Sequence, residues 1–331
     1  MLEMKTLPTQ QEIYALVADD LERVEEELRA YAESPVELIA KIGRYLIEAG
    51  GKRLRPTLLL LTARSLGEVS DTVIRFAAVM ELIHNATLMH DDVIDGANTR
   101  RGRPSANSHW GNSMTVLTGD WLYMQSFAIA LRERSFEVLK RLIEITQKMV
   151  EGELLQLTLL SRTDVKEWQL LEIARCKTAY LFAGCTSIPG ILAGLDHRKV
   201  QKLSDVGMNL GMAFQLVDDL LDLISTQELT GKPVANDLKD GKVTLPIYYV
   251  LERQSPEDQG QIEHVLNERG FESVSSDKIL TLVKQANGVQ RTRTLADDFA
   301  RKAVAELDMF PQSVFKDAII SIPEFILNRQ A

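Results

Sequence analysis

Three aspartates, Asp91, Asp92 and Asp95, close an otherwise apolar run in HNATLMHDDVID (84–95), and Arg100 and Arg101 follow on the next loop. On a helix, Asp91 and Asp95 share a face, and Asp92 lies three residues from Asp95. Like charges at this spacing repel, and the last turn of a helix is the end where the backbone dipole disfavours negative charge. A bound divalent cation reverses both penalties. Oxygen ligands without histidine or cysteine suit a hard ion, magnesium before zinc. The same spacing recurs in AFQLVDDLLDLI as Asp218, Asp219 and Asp222, again ahead of a loop that carries lysines. One such triplet arises readily on a solvated helix face. Two, each ending an apolar run and each answered by a basic loop with glycine, point to a site. Carboxylates that bind magnesium, together with scattered cations, suit a diphosphate: the ion bridges carboxylate and phosphate oxygens, arginine forks onto phosphate and lysine acts as a point charge. The candidate cations are Lys52, Arg53 and Arg55 in GGKRLRP, Arg100, Arg101, Lys177, Lys232, Lys239 and Lys242. Each alone reads as a solvated surface charge. Their neighbours Gly50, Gly51, Gly102, Gly231 and Gly241 let backbone approach an anion closely.

Helical periodicity must position these groups. Apolar residues recur at three- and four-residue steps over 36–51, 71–95, 135–160, 165–188, 198–224 and 242–254. Asp71 is the expected N-cap of the second run and Gly96 its stop signal. No alternating strand pattern of useful length occurs. Two long polar loops, 96–112 and 225–242, are rich in glycine and basic residues, and loops of that length within a domain are usually functional. No shift of composition marks a boundary, so the reading is one all-α domain over 1–331.

A net charge of −9 argues against a nucleic-acid binder, while 45% hydrophobic and 26% charged residues describe an ordinary soluble chain. No signal pattern or 18-residue apolar run is present, which leads us to expect a cytoplasmic protein. Cys176 and Cys185, about 13 Å apart if one helix carries both, are expected to be unbridged core thiols.

The motifs GGKRLRP, HNATLMHDDVID, RRGRP, GNSMTVLTGDWL, KTAYLF, FQLVDDLLD, GKPVANDL and GKVTLP occur in this order. In that combination the chain resembles the trans-isoprenyl diphosphate synthases of the polyprenyl synthetase family, from about residue 15 to the C-terminus. The resemblance implies an all-α bundle around a deep central cavity and a homodimer. It implies head-to-tail condensation of isopentenyl diphosphate with allylic diphosphates, with Mg2+ as cofactor, three ions per active site when substrate is bound. By resemblance, Asp91, Asp95 and Asp218 are direct metal ligands, and Asp92, Asp219 and Asp222 ligate or support. Arg100, Lys177, Lys232 and Lys242 hold the allylic diphosphate. Lys52, Arg55, His84 and Arg101 form the isopentenyl diphosphate site. Thr178 and Gln215 lie beside the reacting carbons, and Phe214 beside the isopentenyl group. Arg53 and Lys239 match no family role and are taken as surface charge. His84, seven residues before Asp91, has the alternative reading of a satisfied core histidine. His90 and His109 are read as structural, Trp110 and Trp121 as packing. One departure is Ala235, where the family commonly has glycine. If that glycine has positive φ, alanine there carries strain.

The family's product tail runs away from the first aspartate triplet, and each helical turn spans about 5.4 Å, close to one isoprene unit. Residues one or more turns before Asp91 therefore act as a floor. Short-chain relatives place aromatics there; this chain has Ala86 and Thr87, with Ile83, Leu82 and Val79 deeper, faced by Met124, Phe127 and Leu131. The expected product is long, about six to nine isoprene units with eight as the central value, and serves quinone side chains. The alternatives are a short-chain farnesyl or geranylgeranyl diphosphate synthase and a non-catalytic subunit of a heteromeric synthase. A terpene cyclase fits less well, because its second metal motif is normally of a different type. A product this apolar implies at most transient contact with a membrane.

Overall fold

Thr9 opens the first helix with a capping box: its hydroxyl accepts from the Glu12 amide, and the Glu12 carboxylate accepts from the Thr9 amide at 2.7 Å. From there the computed structural model is helical almost throughout; it describes residues 8–328 apart from 68, 225–234 and 254. The helices are α1 (Gln10–Ala15), α2 (Ala18–Tyr31), α3 (Glu37–Glu48), α4 (Leu54–Leu66) and α5 (Asp71–Ile94). A two-residue antiparallel pair follows, β1 (Thr99–Arg100) and β2 (Arg103–Pro104). Then come α6 (Ala106–Trp110), α7 (Asn112–Arg132), α8 (Phe136–Thr158), α9 (Glu167–Ala174), a π-helical turn (Arg175–Ala179), α10 (Tyr180–Leu192) and α11 (His197–Ile224). The remainder is α12 (Asn236–Lys239), α13 (Leu245–Leu251), α14 (Pro256–Glu268), α15 (Ser276–Gln285), α16 (Gly288–Ala305), a 3-10 turn (Glu306–Met309) and α17 (Val314–Leu327).

Each periodic run in the sequence becomes a helix, with three corrections. The N-cap of α5 is Ser70, whose hydroxyl accepts from the Val73 amide at 3.3 Å; Asp71 is the first helical residue. Segment 96–112 is not plain loop, because the β1–β2 ribbon and α6 occupy most of it. The run 165–188 is interrupted by the π-helical turn.

The chain divides into two compact units, and the divisions fall inside α8, α10, α11, the 3-10 turn and α17 rather than in linkers. The first comprises Met1–Thr146, Leu181–Ser204 and Met309–Ile320. In it α5 packs against α2, α4 and α7. The four consecutive leucines Leu58–Leu61 of α4 are fully buried, as is the run Phe76–Met80 of α5. A helix buried on all sides has no polar face, so neither segment shows a clean amphipathic stripe. Gly184 of α10 admits Met80 and Ile145: a Cβ there would stand 2.8 Å from the Met80 methyl and 2.5 Å from Ile145 Cδ1.

The second unit comprises Gln147–Tyr180, Asp205–Asp308 and Ser321–Ala331. Here α13 packs against α15 and α16, and Ala174, Ala179 and Met212 form an apolar cluster against which Leu171, Met208 and Phe299 pack. Cys176 and Cys185 are both free and buried, as expected.

Among the described residues, two helices keep exposed apolar stripes. On α7, Leu117, Met124 and Leu131 recur every seven residues; on α8, Phe136, Ile143, Val150 and Leu157 do the same. Seven-residue repeats of large apolar side chains are the pattern of helices that pack against other helices. Among the described residues, no helix is long and apolar enough to cross a membrane.

Candidate active site

In the first unit, the last turn of α5 carries Asp91 and Asp92, and Asp95 is its C-cap. The three side chains have different surroundings. Asp92 is only 2% exposed and accepts hydrogen bonds from Nε (2.8 Å) and Nη2 of Arg100, which reaches back from β1. Its backbone carbonyl accepts from the Ala97 amide at 2.9 Å and from Asn107 Nδ2 at 3.1 Å. Asp92 thus fastens both the loop after α5 and the arginine expected to hold substrate. Asp91 is half-buried and Asp95 exposed. Burial and the charges of Asp91 and Asp120 push the Tyr123 phenol of α7 upward. His90 stays structural, with Nε2 at 3.2 Å from the Val116 carbonyl oxygen and its ring stacked on Tyr123. His109 and Trp110 pack on Tyr45.

Two turns before Asp91 lies His84. Burial, then the charges of Arg55, Arg101, Arg100 and Arg53, hold its imidazole well below the usual histidine range. A neutral histidine offers one N–H donor and no net charge. The arginines that surround it come from two turns with left-handed backbone. Arg101 (φ 53°) and Gly102 (φ 73°) turn β1 into β2. The Arg101 guanidinium lies against Gly51, where a Cβ would stand 2.9 Å from Nη1. Arg55, in the first turn of α4, lies 5.2 Å from the centroid of the Phe182 ring, a cation–π contact. Lys52 is exposed, and its carbonyl accepts from the Tyr14 hydroxyl.

Arg53 overturns the sequence reading of a surface charge. It is 9% exposed, has φ 47°, and donates to Glu25 Oε1 at 2.5 Å, to Glu81 Oε1 at 2.8 Å and to the Ile47 carbonyl at 3.3 Å. The reason is physical: its two carboxylate partners lie 28 residues away on either side in sequence, and only packing brings them together. Lys239 is exposed, as expected.

In the second unit, Lys177 and Thr178 sit in the π-helical turn. Such turns widen a helix by one residue, re-aim its side chains and recur at functional sites. α8 approaches this turn closely, since a Cβ on Gly152 would meet the Cys176 Cβ at 2.5 Å. Lys177 is paired with Glu153 and lies 3.2 Å from Gln156 Oε1, two α8 residues that periodicity alone did not single out. The hydroxyl of buried Thr178 donates to Gln215 Oε1 at 2.6 Å, and Gln215 Nε2 donates to Asp219 Oδ1 at 2.9 Å. The two polar residues expected beside the reacting carbons are therefore bonded to each other and to the second aspartate triplet. Phe214 is half-buried one residue before Gln215.

Asp218 is exposed, whereas Asp219 and Asp222 are half-buried. Burial and the charge of Asp237, joined by Asp218 and Asp222 and opposed by the Gln215 hydrogen bond, push the Asp219 carboxyl well above the carboxylate range. Asp222 holds the returning loop: Oδ2 accepts from the Asp237 amide at 3.1 Å and its carbonyl from the Ala235 amide at 2.8 Å. The Asp237 carbonyl in turn accepts from the Lys242 amide at 2.8 Å. Ala235 has φ 57°, the left-handed conformation in which alanine costs about 1–2 kcal/mol. This is the backbone strain that the sequence reading anticipated at Ala235. Lys232 lies outside the described residues.

The donor set fits a hard divalent cation. Each triplet offers only carboxylate oxygens, and in the second unit the charges of Asp237, Asp218 and Asp222 all bear on Asp219. Among the described residues, no group of three or more metal-binding side chains stands assembled. Magnesium usually takes one or two carboxylates and fills its shell with water and phosphate oxygens.

Of the floor residues, Ala86, Ile83, Leu82 and Val79 are buried in the first unit, and Thr87 is half-buried with its hydroxyl on the His84 carbonyl. The expected facing side chains need correction. Met124 and Leu131 are 59% and 55% exposed, on the outer stripe of α7, and Phe127 is half-buried. α7 is apolar on more than one face, so its sequence did not tell which face turns inward.

Comparisons with known proteins show the family. The sequence profile described as polyprenyl synthetase matches residues 36–283. The chain is 35% identical over 319 residues to octaprenyl diphosphate synthase of Escherichia coli, covering 96% of this chain and 98% of that one. It is 32% identical over 321 residues to a short chain isoprenyl diphosphate synthase of Methanothermobacter thermautotrophicus, covering 96% and 97%. A crystal structure of polyprenyl synthase from Caulobacter crescentus, complexed with calcium and isoprenyl diphosphate, superposes with a TM-score of 0.92 at 34% identity, over 99% of this chain and all of that one. With this match over nearly its whole length, the chain belongs to the polyprenyl synthetase family of prenyltransferases.

Proposed function

We propose that the protein is a magnesium-dependent synthase that condenses isopentenyl diphosphate head-to-tail with allylic diphosphates. Its product is a long all-trans polyprenyl diphosphate of about six to nine isoprene units, with eight as the central value. The observation that carries this reading lies on α5: an aspartate triplet at its C-terminus and, two turns earlier, His84, on which the charges of Arg55, Arg101, Arg100 and Arg53 all bear. One is suited to a metal-bound diphosphate and the other to a diphosphate bound by cations alone.

Lys52, Arg55, Arg101 and the N–H of neutral His84 bind isopentenyl diphosphate, with Phe214 against its hydrocarbon. Arg100, Lys177, Lys242 and Lys232 bind the allylic diphosphate. Asp91, Asp95 and Asp218 hold magnesium, with Asp92, Asp219 and Asp222 in support. Magnesium, when bound, neutralises charge that develops on the leaving diphosphate. The fixed cations stabilise the same charge without reorganisation. Oxygens of Thr178 and Gln215 face the allylic cation, and their mutual hydrogen bond keeps them oriented. The double bond of isopentenyl diphosphate then attacks. The chain offers no strong base in this set, so the departing diphosphate takes the proton. Exclusion of water protects the cation from quenching.

At the floor positions Ala86, Ile83 and Leu82 put no aromatic ring in the way of a long tail, and the similarity to a protein named octaprenyl diphosphate synthase supports the same length. The heptad stripes of α7 and α8 support a homodimer. The whole chain acts as one catalytic domain in the cytoplasm, and its product serves quinone side chains.

The test is a primed assay with labelled isopentenyl diphosphate, magnesium, and geranyl or farnesyl diphosphate, with products dephosphorylated and sized by chromatography. A ladder ending near eight units is expected, roughly one helical turn of cavity per unit. A stop at three or four units, the outcome that the short-chain relative favours, replaces the long-chain reading. Absence of magnesium-dependent product with either primer overturns the assignment as a self-sufficient enzyme.

A further inference from the structure

Arg53 adopts left-handed backbone although it is not glycine, and it offers no side-chain cap to α4. Its guanidinium is directed inward to α2 (Glu25), α5 (Glu81) and the last turn of α3 (the Ile47 carbonyl). One side chain thus ties three helices to the start of a fourth, between Lys52 and Arg55. Glu81 is buried at 2% exposure and stands three residues before His84 on α5, on the same face. Its charge also reaches Arg101, whose guanidinium is partly desolvated and repelled by Arg53 and Arg100. Cations gathered for a diphosphate repel one another until the anion arrives. A buried carboxylate among them offsets that repulsion and fixes where they stand.

We propose that Arg53 and Glu81 are positioning residues of the isopentenyl diphosphate site: a buried guanidinium–carboxylate strut that sets the GGKRLRP turn and the Arg101 turn against His84. The inference rests on the assignment of Lys52, Arg55, Arg101 and His84 to isopentenyl diphosphate. Neither member of the strut touches substrate. Arg53 is committed to its two glutamates, and Glu81 would repel phosphate.

The experiment compares steady-state kinetics of Glu81→Gln, Arg53→Lys and Arg55→Ala. A matched control is Arg64→Lys, which disturbs another ion pair of the same unit, between Arg64 and buried Asp20 at 2.9 Å. Glu81→Gln and Arg53→Lys are expected to raise KM for isopentenyl diphosphate by about tenfold to a hundredfold, with KM for the allylic primer within about twofold of wild type. Arg64→Lys is expected to lower the melting temperature while leaving both KM values in place. Arg53→Lys keeps the charge and loses only the fork, so it reports on positioning even if Glu81→Gln does not fold. Unchanged KM for isopentenyl diphosphate in folded Arg53→Lys overturns the proposal, as does an equal rise for both substrates. If Arg55→Ala leaves KM for isopentenyl diphosphate unchanged, the underlying site assignment has failed instead, and the strut falls with it.

Discussion

The structure gives the three aspartates of the first triplet different surroundings, and Asp92→Asn tests the distinction. Asp92 is almost fully buried and its carboxylate takes two N–H donors from Arg100, which is itself about a third exposed. Hydrogen bonds to a charged partner contribute about 1.5–3 kcal/mol, and the exposure of Arg100 places this one near the middle, at about 2 kcal/mol. For a chain of this length, 1 kcal/mol moves the melting temperature by about 2 °C, so Asp92→Asn is expected to lower it by about 4 °C. Asp91 and Asp95 are half-buried and exposed. Any pairing they make is worth at most about 1 kcal/mol, and relief from the helix dipole returns a similar amount. Asp91→Asn and Asp95→Asn should therefore melt within about 2 °C of wild type. Their turnover should fall by at least about a thousandfold. A second readout does not depend on turnover. Magnesium with inorganic diphosphate should raise the melting temperature of wild type and Asp92→Asn, since a ligand at a hundred times its Kd contributes about 2.7 kcal/mol. That rise should vanish in Asp91→Asn. Differential scanning calorimetry with and without the ligands decides the matter. If Asp92→Asn melts like wild type, or all three variants shift together, the division into one anchoring and two metal-binding carboxylates is wrong.

Three further outcomes follow. Ala86→Phe fills the first floor position of α5 and should shorten the product to three or four units by chromatography; an unchanged product distribution rejects the floor assignment. His84 is held neutral below the ordinary histidine pKa of 6.5, so the unfolded chain binds the extra proton first and stability falls as pH drops below about 6.5. His84→Gln should flatten that part of the melting-temperature profile, and parallel profiles for variant and wild type contradict the buried, arginine-ringed environment. Thr178→Val removes the donor to Gln215 at constant shape, at a cost of about 1–3 kcal/mol if the Gln215 oxygen stays unsatisfied. It should lower kcat about tenfold or more, with Thr178→Ser near wild type. Equal kcat in all three proteins removes the Thr178–Gln215 pair from the reaction.

Most of the candidate site was legible in the sequence because its signals are local. Two aspartate triplets at helical spacing, apolar runs that must be helices, and basic turns next to glycine all depend on neighbours within a few residues. The all-α fold follows from the same periodicities, as does the conditional strain at Ala235, which its φ of 57° bears out. The tertiary structure decided what depends on groups distant in the chain. Arg53 looked like a solvated charge until packing placed Glu25 and Glu81 around it. Arg100 looked like a free cation for substrate, yet folding of the β1–β2 ribbon returns it to Asp92. The π-helical turn at Lys177 and Thr178 has no sequence period of its own; close approach of α8 at Gly152 accompanies it. Met124 and Leu131 carry the same apolar character as core residues, and only the packed helices show that they face outward. Residue type and spacing determine which chemistry is on offer. Burial and the choice of partner among equal charges are set by the whole fold, because both depend on what lies across space rather than along the chain.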